Sequence, residues 1–506
     1  MEYKNPIILQ DFSDPDVIRK NDNFYMVASS FNHTPGVPVL KSKNLVDWKI
    51  IGYVFEELPF ERFKDVFHGE GAWAPSIRYY NGLFYVVIPF PDEGIYVASC
   101  TDIEKGDWSK PWCLIPGKGL IDPCPIWKDG KCYLVIGFAK SRIGFNSCLG
   151  LYEVSLDLKQ KISDTYTIIY DGHNMNPTIE GPKFNERNGW IYIMAPAGSV
   201  KTGWQVCLRS KNIYGPYEPK IVLMQNDSNV NGPHQGALIE LKNDEWAFIH
   251  FQDCKCYGRI THLQPVKWIN DWPICGEVKD ELLAGTPVLK YDYLINKKSN
   301  YKIPTSDDFT SDKLSYIWQT PANKTGDWYK LDNGLVLNCY YHNQKAYASL
   351  NMTPNLFLTK IAFESFNAST LVDIKLINDG DELGLCYMGA SYAYICIRRI
   401  NGINHLQIKK GEFNNESDDV LFDSIYKNTE IKLMLKYIGP DKYKLGFNDI
   451  YFKEEYIALP GRWIGGKVGI YAKGLKSGGY ARFKYFKVKG MKQWKNKIAL
   501  YLILKD

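Results

Sequence analysis

Trp73-Ala74-Pro75-Ser76-Ile77-Arg78-Tyr79-Tyr80-Asn81-Gly82-Leu83-Phe84-Tyr85-Val86-Val87 reads as a short strand opened by a proline, an Asn-Gly turn and a second, aromatic and β-branched strand. Asn-Gly between two such runs is a strong hairpin signal, because both turn positions demand positive φ. The second half of the unit recurs as Asn21-Asp22-Asn23-Phe24-Tyr25-Met26-Val27, Asp129-Gly130-Lys131-Cys132-Tyr133-Leu134-Val135, Asn188-Gly189-Trp190-Ile191-Tyr192-Ile193-Met194 and Asn243-Asp244-Glu245-Trp246-Ala247-Phe248-Ile249. The first half recurs at Asp14-Pro15, Asp122-Pro123, Glu180-Gly181-Pro182 and Pro233-His234. From Asp14, Ala74 and Asp122 to the tyrosine of the following strand the step is eleven residues (14 to 25, 74 to 85, 122 to 133), and from Glu180 to Tyr192 it is twelve. Units of about 50 to 60 residues, with no amphipathic helix between them, predict a five-bladed β-propeller.

If the five proline-flanked positions are equivalent, Asp14, Ala74, Asp122, Glu180 and His234 start five innermost strands and converge on one axis. A residue before proline is biased to extended backbone, which suits such a start. An Asp before Pro is by itself an ordinary turn residue. Three acids and a histidine in one register are harder to read that way, since gathering like charge destabilises a fold.

From Asp307-Asp308-Phe309 onward, short alternating strands with turns at Asp332-Asn333-Gly334 and Asn378-Asp379-Gly380 predict a β-sandwich, jelly-roll-like. The expected all-β organisation is therefore a propeller over 1–295, a linker over 296–306, a sandwich over 307–490 and a tail over 491–506. The apolar run Ile498 to Leu504 is too short to span a bilayer, so it is expected to pack on a neighbour and no membrane partner is expected. A net charge of +5 on 506 residues, without a block of like charge, speaks against nucleic acid. The start of the chain lacks the pattern of a secretory signal, and cytoplasmic residence is expected. Twelve scattered cysteines, with one C-x-C (Cys254, Cys256) and no C-x-x-C, read as reduced, mostly buried thiols rather than a zinc or redox site. The 14% aromatic content, with 35 Tyr and 14 Trp, suits β-strands and also the flat faces that sugars stack on.

Glycosidic bonds are cleaved by two carboxyl groups in different protonation states, one protonating the departing oxygen and one deprotonating water. Asp14 and Glu180, on separate blades, are candidates for a pair about 6.5–9.5 Å apart, the separation that admits a water and inverts the anomeric centre. Asp122 would orient the acid and raise its pKa by like-charge repulsion.

These residues carry a resemblance. The first three hundred resemble glycoside hydrolase family 43, in particular its β-xylosidases and α-L-arabinofuranosidases. The matching segments are Asn5-Pro6-Ile7 through Ser13-Asp14-Pro15-Asp16, Tyr25 to Phe31, Ser42 to Trp48, Trp73-Ala74-Pro75, Ile121-Asp122-Pro123, Glu180-Gly181-Pro182 and Arg209 to Tyr217. The resemblance implies Asp14 as general base, Asp122 as pKa modulator and Glu180 as general acid. Asp16 competes with Asp14, but the family's Asp-Pro pattern and the eleven-residue register favour Asp14. The resemblance also implies that Phe31, Trp73 and Ala74 bound the pocket, that Arg259 contacts sugar hydroxyls, and that His234 lies beneath it. In some relatives the corresponding histidine helps hold a largely water-ligated cation, so calcium is the one metal the resemblance raises, with His234 its ligand; no cofactor is required. Phe309 to Trp318 and Gly478 to Phe486 resemble the C-terminal sandwich of the β-xylosidases, which lends a loop that closes one side of the pocket and makes the enzyme exo-acting. The implied function is release of terminal β-D-xylose, α-L-arabinofuranose or both from xylo-oligosaccharides or arabinoxylan fragments. An arabinofuranosidase proper and a non-catalytic carbohydrate-binding propeller stay open as alternatives, as does a homo-oligomer.

Overall fold

In the computed structural model of the chain, which describes residues 2–280, 284–341 and 344–491, five four-stranded antiparallel sheets follow one another, each with its strands in chain order. Their innermost strands are Asp16–Lys20, Ser76–Tyr80, Leu120–Lys128, Lys183–Arg187 and His234–Glu240, and we number the blades 1 to 5 accordingly. The hairpin turns behave as their residues dictate. Asn81 and Gly82, Asp129 and Gly130, Asn188 and Gly189, and Asn243 and Asp244 all take positive φ.

The second strand of each blade is apolar in both phases because both its faces are covered. Successive side chains of a strand point to opposite faces. Thus Tyr25 and Val27 pack with Phe84 and Val86 of blade 2, whereas Phe24 and Met26 pack with Ala247 and Ile249 of blade 5. The same alternation continues round the ring, so that five inter-blade cores replace one central core. The ring is closed by the N-terminal segment. Glu2–Lys4 pairs with Lys290–Asp292, and Asn5 exchanges hydrogen bonds of 2.8 and 2.9 Å with the backbone of Leu263 in blade 5.

Residues 307–490 form two packed, largely antiparallel sheets. One contains Tyr480–Gly490 between Leu335–Asn338 and Phe366–Lys375; the other contains Glu382–Met388 between Lys467–Gly474 and Ser391–Ile400. The sandwich sits directly on the propeller. Thr34 and Thr320 exchange backbone bonds of 2.8 and 2.7 Å, and the Asn323 side chain bonds both backbone groups of Leu58 at 2.8 Å. Residues 492–506, including the apolar run 498–504, lie outside the described residues, and among the described residues no helix is long and apolar enough to cross a membrane.

The sandwich buries an ionic cluster. Glu382, 1% exposed, meets Lys409 at 2.5 Å and Lys473 at 3.6 Å and accepts from the Tyr471 hydroxyl at 2.8 Å. Burial alone raises its carboxyl, yet the two ammonium groups hold it at about 2. Glu382→Ala leaves two buried cations unpaired, and a loss of about 3–5 kcal/mol is expected in denaturant unfolding of the sandwich. Because the folded pKa lies below the ordinary 4.5, the wild-type cluster contributes its full stability above pH 4.5 and loses it as pH falls towards 2. The variant should lack that acid-dependent loss.

Candidate active site

The acids stand where the innermost strands of blades 1, 3 and 4 begin. Asp14 and Asp122 are not in the extended conformation expected before proline. Both have left-handed backbone, with φ of 55° and 54°. Aspartate tolerates that region better than most residues, and hydrogen bonds to the carboxylate hold each one there. Asp14, 5% exposed, accepts from Arg259 Nη1 at 2.9 Å on Oδ1 and from Ser29 Oγ at 2.5 Å on Oδ2. Asp122, 4% exposed, accepts at 2.8 Å from the backbone N–H of Gly181, the residue after Glu180. Gly181 also has positive φ, 57°, so a left-handed residue occurs at or beside each of the three acids.

Glu180 differs from the two aspartates in exposure. Its side chain is 37% accessible, and Oε1 lies 3.0 Å from Nε2 of His234, which is fully buried at the start of blade 5. Burial, followed by the charge of Glu180, raises the Asp122 carboxyl to about 7. Arg259 experiences the opposite balance. Burial works against its charge, but Asp14, Asp253, Asp11 and Glu180 together hold the guanidinium above its ordinary value. The geometry therefore gathers Asp14, Asp122, Glu180, His234 and Arg259 from blades 1, 3, 4 and 5 into one polar layer in which the charges of the separate pairs act on one another. Asp16, the competitor of Asp14, points elsewhere: its Oδ2 accepts from Arg78 Nη1 at 2.7 Å and from the Ile77 backbone at 2.8 Å.

The aromatic wall is built around Trp73. Its ring packs edge-on against Phe31 at 6.3 Å, its Nε1 donates to the Gly69 carbonyl at 3.0 Å, and the Arg142 guanidinium lies 5.3 Å above it. Asp92 fixes Arg142 through two bonds of 3.1 Å. Ala74, buried, follows Trp73 at the start of blade 2. Phe31 is itself left-handed, φ 53°, and bridges to Ala72; the approach is so close that a Cβ on Gly71 would stand 2.3 Å from the Phe31 carbonyl oxygen.

Three contributors were not picked out by register. The loop Gly461-Arg462-Trp463-Ile464-Gly465-Gly466 of the sandwich brings the half-exposed Trp463 to 6.2 Å from Trp73, forming a wall from the second domain. An exposed tryptophan flanked by glycines was the available signal. Asp11 links that loop to the acids: its carboxylate accepts from the backbone N–H of Gly465 and of Arg259, each at 2.9 Å. Lys183 is the third.

A calcium ion here would have His234 as its protein ligand and water for most of the rest. It prefers six to eight oxygens. His234 offers one nitrogen, already against Glu180, and a buried Nδ1 without a hydrogen-bond partner; among the described residues no three His, Cys, Asp or Glu side chains converge as ligands. The charged group that the inner strand of blade 4 contributes below the acids is the Lys183 ammonium.

The description "Glycosyl hydrolases family 43" matches residues 3–273, more than half of the sequence. The chain belongs to that family. A second description, "Beta xylosidase C-terminal Concanavalin A-like domain", matches residues 306–489. Among curated relatives, a putative beta-xylosidase of Xylanibacter ruminicola is 37% identical over 378 residues, covering 74% of this chain and 68% of the relative. A beta-xylosidase of Formosa agariphila is 34% identical over 352 residues, covering 63% of this chain and 58% of the relative, so this family 43 chain spans little more than half of that protein. A non-reducing end alpha-L-arabinofuranosidase of Bacteroides ovatus is 29% identical over 65% of this chain and 63% of its own length. The solved Bacteroides ovatus Xyloglucan PUL GH43B shares the fold, with a TM-score of 0.81 at 24% identity over 97% of this chain and all of its own.

Proposed function

We propose that this family 43 protein is an exo-acting, inverting glycosidase that releases terminal β-D-xylose, α-L-arabinofuranose or both from xylo-oligosaccharides or arabinoxylan fragments. The observation that carries the reading is the unequal setting of three carboxyl groups in one polar layer. Asp14 has donors on both oxygens, which suits a carboxylate that receives a proton from water. Glu180 is the acid that reaches solvent, which suits proton delivery to the departing oxygen, with His234 orienting it. Asp122 is buried beside Glu180 and accepts from the backbone N–H of Gly181, which suits a group that holds the acid in place. Phe31, Trp73 and Ala74 offer the sugar an apolar wall, and Arg259, already oriented by Asp14, can also reach ring hydroxyls.

Exo action is supported by Trp463, since a wall lent by the sandwich limits the pocket to a chain end. Names of relatives supply the pentose: two are called beta-xylosidase and one alpha-L-arabinofuranosidase. We place the enzyme in the cytoplasm, a reading supported by its twelve cysteines, all free and eleven of them buried.

The test is hydrolysis of the 4-nitrophenyl β-D-xyloside, α-L-arabinofuranoside and β-D-glucoside, together with xylotriose. Release of single pentoses from the first two and from the end of xylotriose is expected. Turnover of the glucoside alone, or cleavage only inside longer xylan chains, contradicts the proposal.

A further inference from the structure

Asp16, Ser76, Cys124 and Lys183 of the inner strands, which pair in register with Val27, Val87, Val135 and Met194 of the second strands, form a second layer under the acids in blades 1 to 4. Asp16, Ser76 and Cys124 follow Asp14, Ala74 and Asp122 by two residues and Lys183 follows Glu180 by three, the left-handed Gly181 being the extra residue in blade 4. Lys183, only 1% exposed, reaches from blade 4 to blade 2, where its Nζ donates to Ser76 Oγ at 2.8 Å and to the Pro75 carbonyl at 3.2 Å. Ser76 Oγ in turn donates to the Pro123 carbonyl at 2.5 Å, directly after Asp122. Below them Arg78 is neutralised by Asp16 and donates also to Cys124 Sγ at 2.8 Å. Arg259, above, is matched by Asp14. Among the described residues no salt bridge accounts for Lys183 in this way; its acceptors are a hydroxyl and a carbonyl, and its charge faces the acids as a whole.

A lone buried ammonium is expensive unless carboxylates share its surroundings. Asp122 and Glu180, which among the described residues have no lysine or arginine partner, lie in the layer above, and the field of Lys183 opposes the rise of the Asp122 carboxyl. We propose that the Lys183 ammonium is a fixed cation of the propeller axis, a positioning residue that balances the charge of Asp122 and Glu180 and does for them what a bound metal ion would do. The inference rests on the roles given above to Asp122 and Glu180. The groups that bear on this pair are Lys183, Asp14, Arg259 and His234 in or next to their layer, with Arg78, Asp16 and Cys124 beneath.

The pair binds one proton in its working state, and removing a neighbouring positive charge raises both of its macroscopic pKa values. Lys183→Met and the neutral donor Lys183→Gln should therefore shift both limbs of the bell-shaped profile of kcat/KM to higher pH by about one unit, while Lys183→Arg keeps the wild-type profile. Should the Met variant not fold, the Gln variant carries the same test. A chelator should leave the wild-type profile in place. An unshifted profile in a folded neutral variant, an equal shift in the Arg variant, or a chelator-induced alkaline shift that calcium reverses would each overturn the proposal. Asp122→Asn in the same assay separates the premise from the inference: if it retains full activity, the role of Asp122 fails, whereas its inactivity beside an unshifted Lys183→Met profile refutes the role of Lys183 alone.

Discussion

Glu180→Gln is expected to hydrolyse xylobiose about 10³- to 10⁴-fold more slowly than wild type, with far less loss on 2,4-dinitrophenyl β-D-xyloside. A sugar alkoxide is a poor leaving group, so proton delivery carries much of the barrier, at the upper end of what a general acid contributes. Dinitrophenolate departs without a proton. Glutamine preserves the bulk of the side chain and can accept from His234 Nε2, now 3.0 Å from Glu180 Oε1, so the pocket keeps its shape and KM should change little. Kinetics on the two substrates supply the check. Equal losses on both would mean that Glu180 acts on something other than the leaving group.

Asp14→Asn is expected to show the complementary pattern, a loss of about 10²- to 10⁴-fold on both substrates alike, because activation of water is needed whatever departs. The asparagine oxygen can still accept from Arg259, while the amide now faces Ser29, whose hydroxyl lies 2.5 Å from Asp14 Oδ2 and can turn to accept. Asp14→Ala is a different experiment. It leaves the Arg259 guanidinium buried without its ion pair, and about 3–5 kcal/mol of stability should go with the activity. Thermal unfolding of the two variants distinguishes loss of the base from loss of the fold.

Much of the propeller was legible because its repeat is written in turn chemistry. Four of the five Asn- or Asp-led hairpins have two successive positive φ angles, which few other residue pairs accept. The acids were legible because a repeat places equivalent residues on one axis. The same logic misjudged their backbone: proline biases its predecessor to extended geometry, but at Asp14 and Asp122 the hydrogen bonds of the folded site override that bias. What register could not provide was reach. Lys183 is an ordinary strand lysine in sequence, and only the ring shows its long side chain crossing from blade 4 to blade 2. Asp11 and Gly465 are 454 residues apart, and their bond depends on how two domains dock. Trp463 is likewise a surface tryptophan until the sandwich is seated against Trp73.

Inversion requires acid and base to act from opposite sides of the sugar, here from different blades. Proton NMR of the first-formed xylose during hydrolysis of 4-nitrophenyl β-D-xyloside, recorded before mutarotation mixes the anomers, tests this most directly. Cleavage of the β-linkage by a water activated at Asp14 should yield α-xylose. Initial appearance of β-xylose would mean retention of configuration, and a carboxylate acting as nucleophile in place of the base described here.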